Sequence, residues 1–199
     1  MRRALARLWL FALRWTTVQS EPVPDRCVVI AAPHTSNWDF PVTMAMAEVK
    51  GVPIRWLGKA QMFNRVSRPI FRSMGGISVE RSSSHGLVGD LATELGQHER
   101  LALIVPAEGT RDPVEFWKSG FYRIAEQAGV PIVCAFVDRS TRSGGFGPVI
   151  HLSGDVVADM DRIREFYADK TGLKPNRFNV PRLREEDAAL DGTGDAATG

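Results

Sequence analysis

Residues 26–39 read Arg26-Cys27-Val28-Val29-Ile30-Ala31-Ala32-Pro33-His34-Thr35-Ser36-Asn37-Trp38-Asp39, and they decide the fold. The run from Arg26 to Ala32 is short and almost wholly apolar, as expected of a strand buried on both faces. Pro33 lacks a backbone N–H and stops it. Residues from about Phe40 to Glu48 then read as a helix. The alternation continues with a strand near Ile54–Gly58 and a basic helical stretch from about Met62 to Ser73. A turn at Gly75-Gly76 leads to a short strand, Ile77–Val79. Helix Gly86–Gln97, strand Leu101–Val105, helix Ser119–Ala128 and strand Ile132–Val137 follow. A last strand near Val149–Leu152 precedes a helix near Val157–Lys170. Strands alternating with helices imply an α/β fold, a single domain with a mixed, mostly parallel sheet flanked by helices.

The chain has 199 residues, 44% hydrophobic and 24% charged, enough for one sizeable core and too few for two. This mix excludes a disordered chain, a collagen-like fibre and a disulfide-stapled miniprotein. No apolar run approaches the roughly 20 residues that span a bilayer. Cys27 and Cys134 lie far apart in apolar runs, which implies neither a disulfide framework nor a metal site, and fits a reducing compartment.

The net charge of +2 hides an asymmetry. Residues 184–199 carry one base and five acids, while residues 1–183 carry 24 bases against 18 acids. Between Val49 and Val79 there are six bases and no acid, a segment suited to anionic partners or to a solvated face. Residues 1–16 form an amphipathic segment with Arg3, Arg7 and Arg14 on one side and Leu5, Leu8, Trp9, Ala12 and Leu13 on another. It reads equally as a membrane-associating helix with its tryptophans at head-group depth or as a helix packed on the protein's own core. The expected organisation is therefore this helix, an α/β domain over 22–183, and an acidic, disordered tail over 184–199.

His34 stands at the carboxyl end of the first strand, where open α/β sheets bind ligands. Asp39 follows five residues later across a turn, a spacing that lets a carboxylate hold one imidazole nitrogen while the other acts as a base. The plainer reading is a helix-capping aspartate beside an incidental histidine. After the strand Leu101–Val105, the block Glu108-Gly109-Thr110-Arg111 gathers a carboxylate, flexible backbone, a hydroxyl and a planar guanidinium suited to phosphate. The plainer reading there is a polar turn with a surface ion pair. Arg81 ends the Gly75-to-Arg81 segment. The chain has no G-x-S-x-G elbow and no phosphate-binding G-x-x-x-x-G-K loop, and His85, His98 and His151 show no metal-ligand spacing.

Together these blocks resemble the glycerophosphate and lysophosphatidic acid acyltransferase family. The shared features are H-x-x-x-x-D from His34 to Asp39, the glycine-rich strand ending in Arg81, and E-G-T-R from Glu108 to Arg111. Lys118-Ser119-Gly120 and the Val130-Pro131 strand add to the likeness, which spans roughly His34 to Val137. The resemblance implies transfer of a fatty acyl group from an acyl-CoA or acyl carrier protein thioester to a hydroxyl of a lysophospholipid. His34 would be the general base and Asp39 its orienting partner. Arg81, Glu108, Gly109, Thr110, Arg111 and Lys118 would bind the acceptor. No metal or other cofactor is expected beyond the donor thioester. The partners expected are the donor, the lysolipid acceptor and an anionic membrane surface at the inner face of the cell membrane, with no nucleic acid. A glycolipid or aminolipid acceptor is the alternative within enzymes, and a non-catalytic lipid-binding protein the alternative outside them.

Overall fold

A computed structural model describes residues 1–79 and 86–188. The strand read from Arg26 is β2 (Arg26–Ala31), and it lies in the middle of a seven-stranded sheet. The other strands are β1 (Thr16–Gln19), β3 (Ile54–Lys59), β4 (Gly76–Val79), β5 (Leu101–Val105), β6 (Ile132–Asp138) and β7 (Ser143–Ile150). Their order across the sheet is β1-β7-β6-β2-β5-β3-β4. Strands β2 to β6 run parallel, with Val28 opposite both Leu103 and Ile132. β7 is antiparallel to β6, and β1 pairs with β7 in parallel.

Alternation along β2 divides the core. Val28 and Ile30 face a layer made by helices α4 (Leu87–Gln97), α5 (Gly120–Ala128) and α6 (Val156–Tyr167). Cys27 and Val29 face the opposite layer, where α2 (Asp39–Lys50) and α3 (Ser67–Ser73) contribute Ala47, Phe40 and Phe71 around Trp56. Helix α1 (Arg2–Ala12) packs on α2 through Leu10, which is buried with Val42 and Met46. The doubly covered strands are thus continuous apolar runs for a physical reason: water reaches neither face.

Three expectations change. The strand placed near Val149–Leu152 is the end of an eight-residue β7. Gly144, Gly145 and Gly147 sit where backbones and rings pack closely: a Cβ on Gly144 would lie 2.6 Å from the Phe136 carbonyl oxygen. β1 lay unseen in a stretch of mixed polarity, and it exists because β7 offers it a free edge. The helix expected from Met62 begins only at Ser67, because Asn64 Oδ1 accepts the N–H groups of Val66 and Ser67 and starts it there.

At the far end, the chain beyond α6 returns to the body of the protein. Residues 184–188 form a helical turn rather than the start of a free tail. Glu186 is buried there, accepting the Leu183 N–H and pairing with Arg164.

Candidate active site

Because β2 ends between β5 and β6, the loop leaving it opens at the carboxyl edge of the parallel sheet, flanked on both sides by other strand ends. Pro33 ends the strand and His34 comes next, its side chain 27% exposed. Helix α2 starts at Asp39 and turns that residue back under the loop. Asp39 Oδ2 accepts the N–H groups of Thr35 and Ser36, both at 2.7 Å, and lies 3.4 Å from His34 Nδ1. The other oxygen, Oδ1, is buried with no hydrogen-bond partner among the described residues. The carboxylate therefore does two things at once: it fixes the loop backbone and presents negative charge to one imidazole nitrogen.

Glu108 supports the loop from the β5 side. Its Oε2 accepts the His34 N–H at 2.7 Å, and the residue is only 4% exposed. Burial pushes this carboxyl up to about 8, with the His34 N–H opposing the shift and the Asp39 charge adding to it. Three consecutive backbone donors, His34, Thr35 and Ser36, are thus each held by one of two buried carboxyls.

The block that carries Glu108 turns sharply after β5. Gly109 adopts φ +71° and donates to the Pro106 carbonyl, and a Cβ there would press on Lys118 at 3.2 Å. The Lys118 N–H donates to the Ala107 carbonyl at 2.7 Å, which brings Lys118 beside this turn. Thr110 and Arg111 are exposed. The Arg111 guanidinium crosses to the β2 loop and donates to Asn37 Oδ1. Exposed Arg and Lys groups near the His34 loop suit an anionic ligand.

Of the residues expected to act together, the structure brings His34, Asp39, Glu108, Gly109, Arg111 and Lys118 into one region. Arg81 lies outside the described residues. Sequence reasoning assigned no role to Thr35 or Asn37. Thr35 is buried and its Oγ1 accepts the N–H groups of Leu173 and Lys174, tying the loop to a segment 138 residues away. Nothing in the sequence signals that link.

Among the described residues no cluster of His, Cys, Asp and Glu is arranged to hold a metal ion. Cys27 and Cys134 are buried free thiols, both pushed up to about 12 by burial, and so are unreactive at neutral pH. A groove of about 680 Å³ between β4 and α4 lies on the sheet's edge, and no residue of the His34 loop lines it.

No curated protein matches the chain in sequence. A solved structure, the 1-acyl-sn-glycerophosphate (LPA) acyltransferase PlsC from Thermotoga maritima, shares the fold with a TM-score of 0.59 at 16% identity. The match covers 83% of this chain and 74% of that one. The acyltransferase family model matches residues 14–138, a span that includes the paired His34 and Asp39, the Glu108–Arg111 turn and the strands that hold them. With most of its length and its whole candidate site inside that match, the chain belongs to the acyltransferase family.

Proposed function

We propose that this acyltransferase moves a fatty acyl group from a thioester donor to a hydroxyl of a lysophospholipid such as lysophosphatidic acid. One observation carries the reading: a partly exposed His34 backed by Asp39, with the Arg111 guanidinium brought against the same loop at Asn37. His34 Nε2 takes the acceptor's hydroxyl proton as its oxygen attacks the thioester carbonyl. A C–O bond forms, the C–S bond breaks, and the proton passes from the imidazolium to the departing thiolate. Asp39 is a positioning residue that keeps Nδ1 protonated and stabilises the positive ring. Because a thioester is already activated, the reaction needs no metal, no redox cofactor and no nucleophile from the protein.

Arg111 and Lys118 would meet the acceptor's phosphate. Glu108, buried and engaged with the His34 N–H, serves the site as a brace for the loop rather than as a ligand for an anion.

The same reading places the protein on the inner membrane surface, where lysolipids reside. Helix α1 is packed on one side and exposes Leu5, Leu8 and Phe11 on the other, at 61%, 64% and 80%. Trp9 and Trp15 are half-buried against α2 instead of standing free for a lipid interface. At 11 residues, α1 is about 16 Å long, half the roughly 30 Å hydrocarbon core. No described helix is long and apolar enough to cross a membrane. Adsorption through the exposed leucines and arginines is the mode that fits.

A thiol-release assay with acyl-CoA and acyl carrier protein donors, crossed against a panel of lysolipids, tests the reaction. Phosphate-bearing acceptors should be preferred, and the His34→Ala enzyme should be inactive with all of them. Thiol release by His34→Ala at the normal rate would refute the mechanism.

A further inference from the structure

From the last residue of α6 to Lys174, the chain forms a clip behind the His34 loop on the β6 side. Its foot is the buried Tyr167, whose single hydroxyl proton is shared between the carbonyl oxygens of Ala135 at 2.9 Å and Ile30 at 3.2 Å, near the ends of β6 and β2. The Thr171 hydroxyl donates to Asp138 Oδ1 at 2.8 Å, and the Gly172 carbonyl accepts the Arg139 N–H at 3.3 Å. The N–H groups of Leu173 and Lys174 then both donate to Thr35 Oγ1, at 3.1 and 3.0 Å. Gly172 lies hard against the loop: a Cβ on it would be 2.9 Å from the Pro33 Cβ and 3.1 Å from Thr35 Oγ1. Its φ of +68° is one that glycine adopts freely.

Thr35 is therefore gripped twice. Its N–H donates to Asp39 Oδ2 at 2.7 Å, the same oxygen that lies 3.4 Å from His34 Nδ1, while its side chain is held by the clip. Thr35 is buried, and core packing alone does not ask for a hydroxyl there, since a buried hydroxyl is costly unless it is hydrogen-bonded. Glu108 holds the His34 N–H from the β5 side, so the loop is fixed from both neighbouring strand ends. The clip lies beyond residue 138, where the family match stops.

We infer that Thr35 is a positioning residue, and that residues 171–174 set the working geometry of the His34–Asp39 pair through it, from outside the span that the family shares. The inference rests on the acyl-transfer reading above and adds to it a part that the reading does not contain. The physical link is short. One peptide bond separates Thr35 from His34, and the Thr35 N–H and the imidazole face the same carboxylate oxygen. An oxygen that already holds the N–H groups of Thr35 and Ser36 has little freedom left, so a shift of the Thr35 backbone moves the imidazole relative to Asp39. A misplacement of about 1 Å, caused away from the reacting atoms, can cost on the order of 10² in rate. The loss falls on the chemical step rather than on acceptor binding, because the groups assigned to the acceptor, Arg111 and Lys118, stand on the β5 side.

The test uses the full chain and the variants Thr35→Val, Thr35→Ser and Thr171→Val, each checked for folding by circular dichroism. Valine keeps the shape of Thr35 and removes its acceptor, serine keeps the acceptor, and Thr171→Val releases the clip from Asp138 without touching the loop. Two quantities are read: steady-state thiol release, and exchange of the Thr35 and Ser36 amide protons by NMR. Thr35→Val should lower kcat on the order of 10- to 100-fold with the KM for lysophosphatidate unchanged, and Thr35→Ser should restore it. Thr171→Val should lower kcat by less, and both valine variants should speed amide exchange. A folded Thr35→Val enzyme with normal kcat overturns the inference, as does a change in KM alone. Equal losses in the serine and valine variants also overturn it, because the hydroxyl would then not be what holds the loop. If Thr35→Val does not fold, Thr171→Val decides: a fall in kcat at constant KM upholds the inference, and a normal kcat overturns it. The two readings fail separately. Faster exchange in the valine variants, with no thiol release by wild type on any lysolipid, sinks the reaction and leaves the clip standing. Transfer by wild type, with normal kcat and exchange in both valine variants, sinks the clip alone.

Discussion

Replacing Glu108 with glutamine separates its charge from its hydrogen bond. Glu108 Oε2 accepts the His34 N–H at 2.7 Å in a site where the residue is 4% exposed. Glutamine has nearly the same shape, and its carbonyl oxygen can take the same donor. What it lacks is ionisation. The carboxyl's pKa of about 8 in the fold, against 4.5 for an ordinary glutamate, means that the folded state keeps a proton that the unfolded chain releases. Stability therefore falls as pH rises from about 4.5 to about 8, and levels off above. The full difference corresponds to roughly 5 kcal/mol, a large part of the 5–15 kcal/mol typical of a domain. Glu108→Gln has no such penalty. Urea unfolding of both proteins at pH 5, 6, 7, 8 and 9 should show similar stability at pH 5 and a gap that widens in favour of the variant up to pH 8. Other titrating groups cancel in the comparison. Parallel stability curves would show that the carboxyl ionises normally, and the account of a buried brace would be wrong. Glu108→Ala is the complement: it orphans the His34 N–H and should cost about 1–3 kcal/mol even at pH 5.

His34→Ala should cut turnover by a factor on the order of 10² to 10⁴ with little change in melting temperature. Asp39→Asn keeps an acceptor for Thr35 and Ser36 and should lose a comparable factor. In the double variant the losses should not multiply, because the pair acts as one unit; steady-state kinetics of all three proteins checks this. Arg111→Ala should raise the KM for phosphate-bearing acceptors on the order of tenfold and spare acceptors without phosphate, measured side by side in the thiol-release assay. Replacing Leu5, Leu8 and Phe11 together with serine should leave the fold intact, since all three are exposed, and should reduce sedimentation with anionic vesicles. Unchanged sedimentation would mean that α1 is only a packing element.

The sequence by itself determined the parallel centre of the sheet and the place of the His34–Asp39 pair. A strand covered on both faces must be apolar at every position, so β2, β5 and β6 announce themselves locally, as does the proline that ends β2 before His34. The spacing from His34 to Asp39 is likewise a local matter, settled within one turn. The edge of the sheet was not legible. β7 is a strand because its glycines let Val18, Phe136 and Phe166 come close, and β1 is one because β7 has an edge to offer. Neither fact exists until both segments are in place. The same holds for the site's finer parts. The contacts of Glu108 with His34, of Arg111 with Asn37 and of Thr35 with Leu173 join residues 74 or more positions apart. Side-chain period and turn chemistry act over a few residues, whereas which strand ends lie side by side is set by the order in which the sheet is woven. The His34–Asp39 pair could therefore be read from its own segment, but everything that surrounds it depended on the tertiary structure.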